Sequence, residues 1–179
     1  ECIDLPKLSK GEHTLEVALD YNKEVSLEWF YILGDFGVNL KAGQGVLTEP
    51  IKELDLGDWT RQGLPFYGGN VTYHFSLPSM AIDAIQFPQF KASVLKIECG
   101  EESKNLYMAP FITDLKPKSK NLNVTAYGHR ANCFGPVHLC DPSFSWLGPA
   151  SYKTREHQYS PEYQLHSLGI MTSPRLLKK

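Results

Sequence analysis

The sequence has little excess charge of either sign. Its 18 Lys and Arg residues against 20 Asp and Glu leave a net charge of −2 over 179 residues. A protein that binds nucleic acid presents a basic face to the phosphates, so this class is disfavoured. No stretch approaches the roughly 18 consecutive apolar residues that predict a membrane-spanning helix. No basic amphipathic stretch suggests attachment to a membrane surface.

The sequence signatures of several enzyme classes are also absent. There is no GxSxG nucleophile elbow and no Gly-rich phosphate loop between a strand and a helix. A complete (β/α)₈ barrel needs at least about 200 residues, so this chain of 179 residues is too short to form one. The acidic residues show no arrangement that singles out the two carboxylates of a glycosidase. The sequence therefore predicts no catalytic residue.

The beginning of the chain bears on its organisation. Residue 1 is Glu rather than Met, and no charged-then-apolar leader follows it. We therefore expect the chain to be a piece of a longer, multidomain protein. The length fits about one domain, so residues 1–179 are expected to form a single one. Four cysteines do not settle the redox compartment, and a secreted or cell-surface location stays open.

Long helical patterns are scarce, whereas short apolar segments separated by turn residues are abundant. This pattern is typical of an all-β sandwich or barrel, and alternation with one polar face predicts antiparallel pairing. One segment, 111–115, could form a single helical turn. The predicted strands are 13–21, 26–33, 36–40, 45–47, 70–77, 93–99, 121–127 and 163–170. Residues 26–33 are nearly all apolar and predict a strand buried on both faces, with Glu28 in a structural ion pair.

Aromatic residues concentrate in one segment, DWTRQGLPFYGGNVTY, residues 58–73. One interpretation is a platform on which a sugar stacks against Trp59 or Tyr67. Arg61 and Gln62 would then donate hydrogen bonds to its hydroxyls. The other interpretation is an aromatic corner that closes the end of a sandwich. The second is favoured, because aromatic side chains dominate protein cores.

A second polar segment, YGHRANCFGPVHLCD, spans residues 127–141. His129, Arg130 and Asn132 could form a hydrogen-bonding patch for a sugar. They could also form a network that pins a loop to the edge of the sandwich. The loop interpretation is favoured, because the irregular backbone around Gly135 needs partners for its amides.

The same segment interleaves two histidines with two cysteines, and this raises the question of a zinc site. A structural zinc site takes four N or S ligands, with characteristic paired spacings. The pairs CxxC and HxxxH are absent among His129, Cys133, His138 and Cys140, so no metal site is predicted. A disulfide between Cys133 and Cys140 remains an alternative.

Four segments resemble, in the same order, parts of large glycoside hydrolases related to family 2 and the α-L-rhamnosidases. Residues 27–38, LEWFYILGDFGV, are similar to the element "yllGdFgv". Residues 59–73 are similar to "W..qGyPfYaG.vtY". Residues 109–115, APFITDL, are similar to "Pf..Dl", and residues 121–138 to "N.l.v...g.RrN.fGp.H".

The resemblance implies an antiparallel β-sandwich of the jelly-roll, galactose-binding-domain-like type. Such a domain is accessory to a catalytic domain, which holds the catalytic acids. Some of these modules bind sugars, others only pack against the catalytic domain, and some hold a structural Ca²⁺; no other cofactor is expected. The chain departs from the family at residues 100–103, where an Asn-Gly turn is usual, and this puts in doubt a ligand role for that loop.

We therefore expect a non-catalytic module that packs against the catalytic domain of the same polypeptide and that can hold carbohydrate. The expected sugar contacts are Trp59, Arg61, Tyr67, His129, Arg130 and Asn132. One alternative is a stand-alone lectin-like carbohydrate-binding module. A weaker one is a small jelly-roll glycosidase, which would need a carboxylate pair of its own.

Overall fold

The computed structural model describes residues 2–25, 29–117, 119–141, 143 and 147–178. The chain divides into two compact units, Glu1–Gly34 and Asp35–Lys179, and each is described by itself. The prediction that residues 1–179 form a single domain stays a prediction. In the described ranges, no helix is both long and apolar enough to cross a membrane.

The first unit contains neither strand nor helix in its described part, 2–25 and 29–34. The alternating apolar side chains of segment 13–21 are between 44% and 74% exposed. The predicted strand at 13–21 is therefore wrong in this structure, and so is the predicted strand at 26–33 over its described part, 29–33. A β-strand needs a neighbouring strand to take up its backbone hydrogen bonds, and no strand pairing among the described residues includes these two segments. Residues 26–28, including Glu28, lie outside the described residues.

The second unit contains all the regular structure of the described chain. Its strands are β1 (Gly37–Lys41), β2 (Gln44–Thr48), β3 (Asn70–Ser76), β4 (Ala84–Gln86), β5 (Phe90–Lys91), β6 (Val94–Cys99), β7 (Glu102–Leu106), β8 (Ile112–Asp114), β9 (Asn121–Tyr127), β10 (Gly169–Ile170) and β11 (Arg175–Leu177). One short helix, α1 (Ala131–Phe134), and two 3₁₀ turns, Trp59–Arg61 and Pro149–Ser151, complete it.

The largest sheet is antiparallel and has the order β3-β9-β6-β7. Val124 of β9 lies opposite Tyr73 of β3 on one side and Ile97 of β6 on the other. Buried apolar residues alternate with exposed or half-exposed residues along β6 and β9. The predicted strands at 70–77, 93–99 and 121–127 are confirmed, because this alternation places one buried row against the core.

The remaining strands form smaller antiparallel sheets. They are β11-β4-β8, β10-β5 and the hairpin β1-β2, which confirms the predicted strands at 36–40 and 45–47. The helical turn predicted at 111–115 is wrong, because Ile112 to Asp114 pair with β4 instead. Of the strand predicted at 163–170, only Gly169 and Ile170 pair with a neighbour.

The hydrophobic core unites the two larger sheets. Leu95, Ile97 and Val124 from the four-stranded sheet belong to the same buried cluster as Ile85 from the three-stranded sheet. Loop residues such as Trp59 and Phe87 join them. The predicted class, an all-β antiparallel β-sandwich, is confirmed, because two sheets that bury their inner faces on one core define this architecture.

Candidate functional site

Two surface grooves of the second unit share the segment 163–168 as a common wall. Tyr163 and Leu165 line both grooves. The first groove has a volume of about 650 Å³ and includes Asp58, and we name it the Asp58 groove. The second has a volume of about 710 Å³, includes Val137, and is named the Val137 groove. Both fall within the range of roughly 300–1,000 Å³ that is usual for small-molecule sites.

Hydrogen bonds from distant parts of the chain fix the shared wall. The side chain of Asn132 donates from Nδ2 to the His166 carbonyl at 2.8 Å and accepts from the His166 N–H at Oδ1 at 2.9 Å. The N–H of Trp59 donates to the Leu168 carbonyl at 2.9 Å. The wall is therefore held at two points along its length.

Asp58 stands at the start of the 3₁₀ turn and in the lining of the Asp58 groove. Its Oδ1 accepts hydrogen bonds from the Thr60 N–H at 3.0 Å, the Thr60 hydroxyl at 2.7 Å and the Leu168 N–H at 3.2 Å. Its Oδ2 faces Arg61, 4.0 Å from Nε. Oδ1 therefore takes three hydrogen bonds from the protein, the Ser167 hydroxyl also bonds the carboxylate, and Oδ2 is the oxygen that faces the guanidinium.

The Asp58 carboxylate is stabilised in its ionised form. Burial raises its pKa, but hydrogen bonds from Thr60, Ser167 and Leu168 outweigh that effect and leave the pKa below its usual value of 3.8. Hydrogen bonds to the charged form favour that form. The groove therefore contains a fixed negative charge at neutral pH.

Arg61 lies in the same groove, with its exposed guanidinium next to that carboxylate. Its side chain is 87% exposed, whereas that of Asp58 is 14% exposed. Gln62, the other proposed donor to a sugar, is used internally. Its amide accepts from the Asp55 N–H at 2.8 Å and donates to the carbonyls of Asp55 and Asp58. Of these two, Arg61 is the one available to a ligand.

Trp59 is a core residue rather than a stacking surface. Its side chain is fully buried, and Tyr67 packs edge-on against it, with ring centroids 6.3 Å apart. Its Nε1 has no hydrogen-bond partner among the described residues. The prediction that a sugar stacks on Trp59 is corrected, because protein covers the ring. The favoured alternative, an aromatic corner of the sandwich, describes Trp59 well.

Tyr67 and Arg130 are brought together at the surface around Gly68 and Gly69. The Tyr67 ring lies over Gly69, and the Cγ of Arg130 approaches Gly68. Tyr67 is 41% exposed, and its hydroxyl donates to the Asn70 carbonyl at 3.1 Å. These two predicted residues form a small exposed surface that does not belong to the lining of either groove.

His129 and Asn132 meet His166 below this surface. The rings of His129 and His166 are edge-on, with centroids 5.6 Å apart, and the Nδ1 of His129 accepts from the Ala131 N–H at 3.3 Å. Burial and the charge of His166 lower the pKa of His129. The Asn132 amide is buried, and its nitrogen and oxygen both bond His166, so it pins a loop and is not presented to a sugar.

The cysteines and histidines of segment 127–141 do not assemble into a metal site or a disulfide. All four cysteines are free, so the disulfide between Cys133 and Cys140 is absent. Cys133 Sγ donates to the Phe66 carbonyl, and burial raises the pKa of this thiol. Across the described ranges, no group of three or more His, Cys, Asp or Glu side chains could hold a metal ion. The described residues therefore contain no cluster of three such side chains for the structural Ca²⁺ that the resemblance implies for some modules.

Sequence reasoning did not identify Asp58, Tyr163 and Ser167 as site residues. The pattern Asp58-Trp-Thr60 carries a signal for Asp58, because an Asp two residues before Thr is typical of a capped turn. Tyr163 and Ser167 reach the groove from more than 100 positions away. No local pattern predicts that approach.

Comparison of the chain with protein-family models, with curated proteins and with solved structures finds no match.

Proposed function

We propose that this chain is a non-catalytic accessory module of a glycoside hydrolase, of the jelly-roll, galactose-binding-like type. It packs against the catalytic domain of the same polypeptide and holds carbohydrate in the Asp58 groove. The observation that carries the carbohydrate proposal is the pairing of an ionised carboxylate with an exposed guanidinium in one groove.

The chemistry of the groove suits a sugar. A sugar hydroxyl both donates and accepts hydrogen bonds, so it can use Asp58 Oδ2 as an acceptor and Arg61 as a donor. The apolar side chains of Ile51 and Leu165, together with Tyr163, line the same groove and can cover the C–H faces of the ring. A few fixed polar groups in a partly apolar concavity are typical of small-molecule sites.

Two arginine variants test where a sugar binds. Arg61→Ala removes the guanidinium of the Asp58 groove, and we expect it to weaken binding about tenfold, since a hydrogen bond to a charged group contributes about 1.5–3 kcal/mol. Arg130→Ala is the matched control, because Arg130 is also exposed and lies outside both grooves. Binding to a carbohydrate array, followed by calorimetry on the hits, measures both.

The outcomes are distinct. Loss of affinity in Arg61→Ala alone supports the Asp58 groove. Loss in Arg130→Ala alone moves the site to the Tyr67–Arg130 surface. If the wild-type chain binds no sugar, the carbohydrate part of the proposal fails.

The second candidate is a stand-alone lectin-like module, which the exposure of Tyr67 favours. An immunoblot of the native polypeptide distinguishes the two. A band several times larger than 20.2 kDa supports the accessory module. A band near 20.2 kDa supports the lectin-like module, since no catalytic domain would then accompany the chain.

A further inference from the structure

We infer, resting on the proposed function, that the Asp58 groove selects neutral sugars with two adjacent hydroxyls and discriminates against sugar acids. The basis is an asymmetry between the two charged residues of the groove. Of the described residues that line it, Asp58 and Arg61 alone carry charge. Asp58 is held by hydrogen bonds and partly buried, whereas Arg61 is exposed to solvent.

The carboxylate of Asp58 is the fixed charge. Hydrogen bonds from Thr60 and from the Leu168 N–H hold its Oδ1, and its side chain is 14% exposed. An anchored carboxylate cannot turn away from an approaching anion. Because only 14% of this side chain is exposed, water screens its charge less than it screens a fully exposed one.

The guanidinium of Arg61 is the exposed charge. Its side chain is 87% exposed, and its Nε stands 4.0 Å from Asp58 Oδ2. Solvent and salt screen a charge this exposed. A ligand carboxylate would therefore be repelled by Asp58 more than it is attracted by Arg61.

Two adjacent hydroxyls avoid this conflict. One hydroxyl donates to Asp58 Oδ2, which is the oxygen that faces the guanidinium. Its neighbour accepts from Arg61, so both charged groups are satisfied by one neutral ligand. A sugar acid that places its carboxylate here can accept a hydrogen bond from Arg61, but its carboxylate has no hydrogen to donate to Asp58 Oδ2.

Matched sugar pairs test the inference on the whole chain. The probes are glucose with glucuronate, galactose with galacturonate, and mannose with mannuronate, since the members of each pair differ only in the oxidation of C6. We expect the neutral member of the bound pair to bind about tenfold more tightly in low salt, because like charges placed together oppose binding. Raising the salt concentration should reduce this difference in affinity, because salt screens the repulsion.

Asp58→Asn identifies the residue responsible. Asparagine keeps an Oδ1 that can accept from Thr60 and Leu168, so the turn is preserved while the charge is removed. In this variant, the ratio of the affinity for the neutral sugar to the affinity for its acid should fall toward one. Thr48→Val is the control, because Thr48 lines the same groove without charge, and its ratio should match the wild type.

Failure of this inference is distinguishable from failure of the proposed function. If the wild type binds both members of a pair equally and Arg61→Ala loses that binding, the groove is a sugar site without charge selection, and the inference is overturned. A salt-independent preference, or one unchanged in Asp58→Asn, overturns it as well. If no sugar of the panel binds, both the carbohydrate proposal and this inference fail.

Discussion

Segments 13–21 and 70–76 have the same apolar alternation and opposite outcomes. In 13–21, Leu15, Val17 and Leu19 alternate with polar or small residues, yet each is more than 40% exposed. In 70–76, which is β3, Tyr73 is buried and pairs with Val124 of β9. The pattern is equally good in both. The difference is the presence of a neighbouring strand.

Side-chain alternation and strand pairing are separate properties of a segment. Alternation specifies which side chains would share a face. Pairing requires a second backbone at the right distance, and only β3 has one in this structure. Matched substitutions in the two units therefore test whether a neighbouring strand accounts for the difference.

The largest effect is expected from truncating a core leucine. Leu122→Ala in β9 should lower the free energy of unfolding by about 3 kcal/mol, because Leu122 is 1% exposed and its loss leaves a cavity. Leu15→Ala should change it by no more than about 0.5 kcal/mol. Urea unfolding followed by circular dichroism measures both. Equal losses would show that 13–21 is buried after all.

A smaller effect is expected at a buried asparagine. Asn132→Ala should cost about 2 kcal/mol, since it removes a buried amide and leaves the partly buried N–H and C=O of His166 without their partner. The control is Asn22→Ala, because Asn22 Oδ1 also accepts a backbone hydrogen bond, from the Glu24 N–H, but at an exposed position. The same unfolding measurement applies. A control that costs as much would mean that burial does not decide the effect.

The smallest effect concerns pH. Burial and the charge of His166 lower the pKa of His129 from its usual 6.5, so the unfolded chain takes up this proton more readily. This contribution to stability is complete above about pH 6.5 and is lost as the pH falls toward the lower folded-state pKa. We expect a loss below about 1 kcal/mol, because solvent screens a half-exposed pair.

Unfolding measured between pH 7.5 and 5 tests this expectation. His129→Gln should show a weaker dependence on pH than the wild type. His13→Gln, which alters an exposed histidine of the first unit, should keep the wild-type dependence. Identical curves for all three proteins would contradict the assignment to His129.

The sequence predicted the strands that alternate over six or seven residues and the two strands of the β1-β2 hairpin, and it failed on 111–115 and on segments without a pairing partner. β6 and β9 were found within one residue, because a full buried row marks each. The pattern of 111–115 is too short to distinguish a helical turn from a strand, and pairing with β4 decides it. For 29–33, an apolar run predicted burial that the structure does not supply.

The candidate site was predictable only in part. Arg61 was identified from its aromatic surroundings, and it lies in the Asp58 groove. The role of Asp58 depends on Leu168, 110 residues further along the chain. A contact of that sequence separation leaves no local pattern. The favoured interpretations, an aromatic corner for Trp59 and a loop network for Asn132, agree with the burial of both side chains. The sequence did not exclude the sugar-binding interpretations, because burial depends on how distant segments meet.

The pair of hydrogen bonds between Asn132 and His166 has a consequence for how this chain can vary in length. The Asn132 side chain bonds both backbone groups of His166, 34 residues further along the chain. These bonds hold the two ends of the intervening segment together. Doubling the length of a flexible loop costs only about 0.6 kcal/mol in closure entropy. Further hydrogen bonds tie the two ends of this span together, from the Gln164 N–H to the Val137 carbonyl at 2.6 Å and from the Cys140 N–H to the Gln158 carbonyl at 3.0 Å. Insertions and deletions between Cys140 and Gln158 should therefore leave the Asn132–His166 bonds and the wall at 163–168 in place, whereas changes nearer to either end would break these contacts.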